Sequence, residues 1–147
     1  NTQLAYEDLD DEMKKKINNL EVIHSASLPY ADDGFYATEK DKRAMKILPS
    51  KKAKETQLHP LVKTHSETKK KCLFINPVYT IAINEYSDED SFLLLSYLYE
   101  HMTQEKYVYR HKWSENMLLM WDNRTVVHQA DGGYDGYERL LHRITIN

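Results

Sequence analysis

The sequence predicts an α+β fold in which helices pack outside a core made mostly of strands from the second half of the chain. Apolar residues between Thr2 and Leu20 recur with the period of an amphipathic helix. From His59 onward, short β-like runs alternate with turn residues. A length of 147 residues with 41% hydrophobic content is typical of one globular domain. We therefore expect a single domain over residues 1–147.

Composition excludes several classes of protein. The 20 basic and 23 acidic residues give a net charge of −3, which does not favour binding to nucleic acid or to an anionic membrane. No apolar run approaches the roughly 20 residues of a membrane-spanning helix. Cys72 is the single cysteine and cannot form an internal disulfide. The polar, acidic start does not resemble a signal peptide, so we expect a cytoplasmic protein.

The first element predicted is a helix over residues 2–20. Leu4, Leu9, Met13 and Ile17 form one apolar stripe, spaced as on a helix with one buried face. Acidic residues at 7–12 precede lysines at 14–16, an order that suits the helix dipole. This pattern indicates a helix with a solvated outer face.

A long loop is predicted at residues 30–58. It contains Gly34 and Pro49, it has no sustained periodicity, and it is rich in lysine between residues 40 and 54. Loops of this length are usually functional lids or disordered segments. A basic binding loop is the rival interpretation, but aromatic residues are not interleaved there and acidic residues dilute the charge. We interpret the segment as lid-like.

The β-rich core is predicted at residues 59–147. A hairpin joins strands at 61–64 and 72–75 through the turn at 66–69. Ser87 caps a helix that runs to about Met102 and begins with an acidic turn. Strands are then expected at 107–113, 117–121, 125–129 and 139–146, with turns at 122–123 and 131–133.

One metal-like pattern occurs in the hairpin. His65-Ser66-Glu67 has the His-x-carboxylate form in which alternate residues of a strand face one metal ion. The pattern lies at the predicted hairpin tip and is followed by lysines, so an exposed turn is the alternative reading. The residues alone leave both interpretations open, and exposed turn residues would hold a metal poorly.

The C-terminal block carries a second set of candidate site residues. Trp121-Asp122-Asn123-Arg124 is followed by His128, then by Arg139 and Arg143. A neutral imidazole can bind iron, and arginine can hold a carboxylate through two parallel hydrogen bonds. Since residues 139 and 143 differ by four, their side chains would face the same side of a strand. The alternative is a structural histidine and arginines paired with protein carboxylates.

In combination, these segments resemble the taurine dioxygenase and 2,4-dichlorophenoxyacetate dioxygenase (TauD/TfdA) family. The similar segments in order are Leu4-Ala5-Tyr6-Glu7 with Leu20 and His24, then His59-Pro60-Leu61-Val62 through Thr64-His65-Ser66-Glu67-Thr68 to Leu73-Phe74-Ile75-Asn76, then 87–99, and finally Trp121-Asp122-Asn123-Arg124 with His128, Arg139 and His142-Arg143. Four motifs in the family's order cover nearly the whole chain. The hairpin motif also favours the turn interpretation of His65.

The resemblance implies a partial double-stranded β-helix, or jelly roll, with flanking helices. It implies an iron(II)- and 2-oxoglutarate-dependent dioxygenase that oxidises a small anionic substrate. His128 would be the distal histidine ligand of iron, and Arg139 would bind 2-oxoglutarate. Arg143 would lie beside the co-substrate or the substrate anion, and Trp121 would form part of the wall. No catalytic residue is expected beyond the metal site.

The family's His-x-Asp iron pair does not occur anywhere in this sequence. We therefore expect the C-terminal portion of an oxygenase, inactive alone, whose partner is the missing N-terminal half. The alternative is a non-catalytic binding or assembly module that keeps the oxygenase scaffold. A third hypothesis rebuilds a metal site from His65, Glu67 and His128. Unpaired strand edges would also favour association, so a homo-oligomer is considered.

Overall fold

The computed structural model describes residues 1–38, 47–133, 136–138 and 140–146. Its helices are α1 (Thr2–Glu7), α2 (Asp11–Ile17), α3 (Ser27–Tyr30), α4 (Phe35–Thr38) and α5 (Asp88–Met102). Its strands are β1 (Glu21–Ser25), β2 (Thr56–Pro60), β3 (Val62–Thr64), β4 (Lys71–Leu73) and β5 (Thr80–Ile83). Short 3-10 turns lie at Lys51–Lys54 and Glu105–Tyr107. Helices with antiparallel sheets agree with the predicted α+β class.

The predicted helix over residues 2–20 is two helices, so the prediction was wrong in extent. Asp8 ends α1, and the side chain of Asp10 accepts a hydrogen bond of 2.7 Å from the backbone N–H of Met13 at the start of α2. An aspartate in this position satisfies an otherwise unpaired amide of the new helix. Leu9 and Ile17 of the predicted apolar stripe are buried, whereas Leu4 is 44% exposed and Ala5 is buried in its place.

Two small antiparallel sheets form the β-structure. In the first, β1 lies between β2 and β5, with Val22 opposite His59 on one side and Ile83 on the other. In the second, β3 pairs with β4, so the predicted hairpin is confirmed. Strand β1 was not predicted, and β2 begins at Thr56, inside the segment expected to be a loop.

The remainder of the lid-like segment is only partly irregular. It contains α4 and the 3-10 turn, while residues 39–46, which carry much of the lysine run, lie outside the described part of the chain. Lys54 forms ion pairs with Asp32 at 3.3 Å and Asp33 at 2.8 Å, and the N–H of Ser50 donates to the carbonyl of Tyr30. These contacts bring the two ends of the segment together.

The core lies between the helices and the two sheets. Helix α5 begins after Ser87, whose Oγ accepts the N–H of Asp90, as predicted. The buried residues that share this core include Ala5, Leu9, Ile17, Val22, Leu61, Leu73, Ile83, Leu94 and Leu98. Apolar burial of this kind is the main favourable contribution to folding.

After Ile83 the described residues contain no further strand, which differs from the four strands predicted at 107–113, 117–121, 125–129 and 139–146. An extended segment becomes a strand when a ladder of backbone hydrogen bonds joins it to a neighbour. Among the described residues these segments form isolated backbone bonds, such as that of the Thr125 carbonyl with Thr2, and no ladder. Many of their apolar side chains are exposed, including Leu118, Met120, Leu140, Ile144 and Ile146. In the described part of the chain, no helix is long and apolar enough to cross a membrane.

Candidate functional site

The segment from Trp121 to His128 starts with a turn. The N–H of Thr125 donates to the carbonyl of Asp122 at 3.2 Å, and the indole N–H of Trp121 donates to Asn123 Oδ1 at 2.8 Å. Short polar side chains that bond the local backbone favour such turns. Asp122 and Asn123 are therefore turn residues, as the sequence predicted.

Asp122 also joins this turn to the hairpin. Its carboxylate accepts from Nη2 of Arg124 at 2.7 Å and from Nε2 of His65 at 2.9 Å. Arg124 continues the network, because its Nη1 donates to Ser66 Oγ at 3.1 Å and its Nη2 lies 3.1 Å from Glu67 Oε2. Hydrogen bonds from Arg124 and then His65 hold the pKa of Asp122 well below its usual range.

His65 is a turn residue, but the prediction that it is exposed was wrong. Its backbone closes the hairpin turn with Lys69 and Lys70, while only 8% of the residue is accessible. Nε2 contacts Asp122, and Nδ1 accepts from the N–H of Thr68 at 3.1 Å. Nδ1 also lies 3.2 Å from Glu67 Oε2, so each ring nitrogen has a carboxylate beside it. Both ring nitrogens are thus occupied, which argues against a metal site built on His65, Glu67 and His128.

The start of the chain anchors the segment that leads to His128. The N–H and Oγ1 of Thr2 both donate to the carbonyl of Thr125 at 2.9 Å. Cys72, which is buried in β4, contacts the carbonyl of Arg124 at 3.4 Å through Sγ. Side-chain and backbone contacts from α1 and β4 thereby fix the backbone three residues before His128.

His128 itself is exposed, and its ring lies 4.9 Å from the ring of Trp121, tilted by 60°. The two residues predicted to share the site are therefore adjacent. In residues 1–38, 47–133, 136–138 and 140–146, no group of three or more His, Cys, Asp or Glu could hold a metal ion. Thus His128 does not belong to a complete metal centre within the described residues.

Of the two arginines predicted for the site, one lies in the described part of the chain. Arg139 lies outside the described residues, whereas Arg143 is exposed and interacts electrostatically with Tyr79. Burial, a hydrogen bond with Tyr30 and the nearby Tyr36 raise the pKa of the Tyr79 hydroxyl, while Arg143 acts in the opposite direction. The hydrogen bond from Tyr30 ties the lid-like segment to Tyr79, on which the charge of Arg143 acts.

Sequence reasoning missed these tyrosines. The composition offers a weak signal, since 11 of the 147 residues are tyrosine. Tyr30 ends α3 and Tyr36 lies in α4, and their rings are 5.3 Å apart. Their approach to Tyr79 depends on the folding of the segment before β2 onto the entry to β5, which periodicity does not reveal.

A second cluster surrounds His24 on β1. Its ring stacks on Phe74 at 5.6 Å and meets His59 at 4.9 Å, and Nε2 is 2.9 Å from Oγ1 of Thr80. Lys63 Nζ lies 3.8 Å from the centre of the Phe74 ring. Burial lowers the pKa of His24, and His59 and Lys63 add to the effect. Sequence reasoning gave His24 and His59 no individual role.

Comparison with known proteins gives related enzymes along the whole chain. The family described as "Taurine catabolism dioxygenase TauD, TfdA family" matches residues 1–145. The alkylsulfatase of Acinetobacter baylyi is 34% identical over 99% of this chain and 45% of its own length. The alpha-ketoglutarate-dependent 2,4-dichlorophenoxyacetate dioxygenase of a Burkholderia species is 35% identical over 86% of this chain and 39% of its own length.

A solved structure is similar to this chain as well. The crystal structure of AAD-2 in complex with Mn(II) and N-oxalylglycine superposes with a TM-score of 0.60 and 30% identity, covering 77% of this chain and 36% of that one. The chain thus spans less than half the length of each of these three proteins. Because the family match covers nearly every residue, the chain belongs to the TauD/TfdA dioxygenase family.

Proposed function

We propose that this chain is the part of an iron(II)- and 2-oxoglutarate-dependent dioxygenase that carries the distal histidine and the arginines of the active site. The observation that carries the proposal is the exposed His128 beside Trp121, on a segment anchored by the turn at Asp122. Family membership and relatives named as alpha-ketoglutarate-dependent dioxygenases support it.

The residues described here do not complete a metal centre. One neutral imidazole does not hold iron(II) at useful affinity, since non-haem iron sites of this type use two histidines and a carboxylate. We therefore infer that the other two ligands come from a segment outside these 147 residues. This chain aligns with only 45% of the alkylsulfatase and 39% of the phenoxyacetate dioxygenase, which supports placing the other two ligands in another segment. The chain alone would then be inactive.

Each site residue of this chain has a defined task in the proposal. His128 offers a ring nitrogen to the metal, and Trp121 limits the rotation of that ring by packing against it. Arg139 binds the distal carboxylate of 2-oxoglutarate through two parallel hydrogen bonds. Arg143 attracts the anionic group of the substrate. Bound iron and 2-oxoglutarate would supply the oxidising chemistry at a substrate carbon.

The substrate is proposed to be a small organic anion. Arg143 is exposed, and its charge acts on the hydroxyl of Tyr79, which is hydrogen-bonded to Tyr30. A guanidinium beside tyrosine hydroxyls can receive a sulfate, sulfonate or carboxylate through charge-assisted hydrogen bonds. The names of the relatives, an alkylsulfatase and a phenoxyacetate dioxygenase, point to anions of this kind.

The test separates the two arginines in the longest natural polypeptide that contains this chain. We expect Arg139→Ala to raise the KM for 2-oxoglutarate by about a hundredfold, the loss of a bidentate charged contact. We expect Arg143→Ala to raise the KM for an alkyl sulfate, a sulfonate or an aryloxyacetate, with a smaller effect on 2-oxoglutarate. Consumption of 2-oxoglutarate against a panel of these anions provides both values.

Lys15→Ala is the control, because Lys15 is an exposed cationic residue on α2, an element that carries none of the proposed site residues. It should leave both KM values unchanged. His128→Ala should abolish Mn(II) binding measured by electron paramagnetic resonance. Unchanged metal binding in His128→Ala, or unchanged dependence on 2-oxoglutarate in Arg139→Ala, would contradict the assignment.

The second candidate function is a binding or assembly module without catalysis. It is favoured by one observation, that the described residues contain no group able to hold a metal. Intact mass compared with the open reading frame distinguishes the two. A reading frame that begins at or near Asn1 would support the module, and a longer one with a His-x-Asp pair upstream would support the oxygenase.

A further inference from the structure

The orientation of the His128 ring depends on Trp121. Among the described residues, neither ring nitrogen of His128 has a hydrogen-bond partner, and the ring packs against the indole at 4.9 Å. A histidine that binds a metal usually donates its second N–H to a neighbouring group, which fixes the direction of the ring. Within the described residues, packing against Trp121 has to take the place of that hydrogen bond.

The backbone that leads to His128 is anchored, but this does not orient the ring. Thr2 donates two hydrogen bonds to the carbonyl of Thr125, and Val127 packs against the core. Such contacts determine where the Cα atom of His128 lies, whereas the two side-chain torsions still have to be set. A metal-binding atom has to lie within about 0.5 Å of its productive position. The contact with Trp121 therefore supplies what the backbone anchors do not.

Trp121 is in turn held by the turn that follows it. Its indole N–H donates to Oδ1 of Asn123 at 2.8 Å, and the N–H of Thr125 closes the turn on the carbonyl of Asp122 at 3.2 Å. Inside the turn, Oδ1 of Asp122 accepts from the backbone N–H of Arg124 at 2.9 Å. The direction of the indole therefore depends on the conformation of residues 122–125.

The hairpin of β3 and β4 holds this turn from outside through side chains. Nε2 of His65 lies 2.9 Å from the carboxylate of Asp122. Oε2 of Glu67 lies 3.2 Å from Nδ1 of His65 and 3.1 Å from Nη2 of Arg124. His65 is the buried member of this network, whereas Glu67 is exposed at the hairpin turn. Hydrogen bonds that involve charged groups are stronger than neutral ones, so the network favours one conformation of the turn.

We propose that His65 is a positioning residue for the metal ligand His128 and that it acts through Asp122 and Trp121. The inference rests on the proposed function, because it requires His128 to bind the metal. In the sequence, His65 resembles a metal ligand. In the structure it holds the turn that orients a ligand, and both of its nitrogens are used for that purpose.

Mn(II) binding to the longest natural polypeptide that contains this chain tests the proposal, with the metal alone as the probe. His65→Leu removes the hydrogen bond with Asp122, and we expect the dissociation constant for Mn(II) to rise by about tenfold, as for other groups that orient metal ligands. His65→Gln keeps an N–H donor near the position of Nε2 and should stay within about threefold of the unmodified protein. Electron paramagnetic resonance measures free Mn(II), and at saturation the spectrum of bound Mn(II) should change in His65→Leu.

Two glutamates provide a matched pair of variants that leave the buried residues intact. Glu67→Gln weakens the ion pair with Arg124 and should raise the dissociation constant for Mn(II) by about threefold, the effect of one exposed ion pair. Glu7→Gln weakens an ion pair of 3.1 Å with Lys70, which joins the same hairpin to α1, and should leave Mn(II) binding unchanged. Urea unfolding of each variant measures stability separately, because a purely structural role would lower stability without changing the bound Mn(II) spectrum.

The outcomes separate this inference from the proposed function. Unchanged Mn(II) affinity and an unchanged bound spectrum in His65→Leu, with binding lost in His128→Ala, would overturn the inference and leave the proposed function standing. If His65→Leu does not fold, equal Mn(II) affinities in Glu67→Gln and Glu7→Gln would overturn it in the same way. Unchanged binding in His128→Ala would contradict the proposed function and, with it, this role of His65.

Discussion

At the scale of single residues, the environment of His24 on β1 makes stability depend on pH near neutrality. Its Nε2 contacts Thr80, its ring packs between His59 and Phe74, and Lys63 lies close by. All the titratable neighbours are cationic or can become so. The fold therefore favours the neutral imidazole, which agrees with the lowered pKa.

We expect the chain to lose stability as the pH falls through the ordinary pKa of histidine, about 6.5. Below that value the unfolded chain takes up a proton that folded His24 resists, so stability rises with pH in this range and is complete above it. Urea unfolding between pH 5 and pH 8 measures the effect. His24→Gln should flatten the curve in this window, and an equally steep curve in the variant would exclude His24 as the cause.

Single residues also show how far sequence reasoning reaches. The turn at Asp122 and Asn123 is predictable, because short polar side chains act on their own backbone. The burial of His65 is not, since it depends on Asp122, which is 57 positions away along the chain. The same holds for Arg143 and Tyr79, whose interaction joins segments with no shared local pattern.

At the scale of elements, the break between α1 and α2 depends on a cap. Asp10→Ala removes the acceptor for the N–H of Met13 and should lower the free energy of unfolding by about 1 kcal/mol. Asp11→Ala is the matched control, because Asp11 is an exposed aspartate one position later that is not the cap. Thermal or urea unfolding compares them. Equal losses in the two variants would mean that the side chain of Asp10 does not cap α2.

Some helices and strands can be predicted from local sequence signals and others cannot. Helix α5 and the hairpin of β3 and β4 have local signals, a serine cap and a turn, and both occur where expected. The four segments predicted as strands after residue 106 have residues that favour extended structure. They form no strand, because a strand requires a second segment to pair with. Alternation of apolar and polar residues predicts which segments can be extended. Such a segment becomes a strand only when neighbouring strands of a sheet pair with it.

At the scale of the whole molecule, the described structure has a packed half and an open half. The core joins α1, α2, α5 and the two sheets, and nearly all the exposed large apolar residues beyond Tyr107 lie on extended segments. Among the described residues, no backbone N–H between 109 and 121 donates to another backbone carbonyl. This open half is where the proposed upstream segment of the oxygenase would pair.

Hydrogen exchange should report this division directly. We expect amides of β1 and β5 to exchange at least about a hundredfold more slowly than amides at 109–121, because the former are bonded within a sheet over the core. Mass spectrometry of peptides from the chain measures both. In a longer polypeptide that contains the proposed upstream segment, residues 109–121 should become protected. Uniform protection in the chain alone would contradict an open half.

The hydrogen bonds from Thr2 to Thr125 also have a consequence for the order of folding. They join residues 123 positions apart, a separation that makes the closing of the intervening loop slow compared with forming α1 or α5. During synthesis at 5–20 residues per second, Thr2 would wait roughly 6 to 25 s before Thr125 is even made. The first helix of this chain can therefore reach its final position only after most of the polypeptide has left the ribosome.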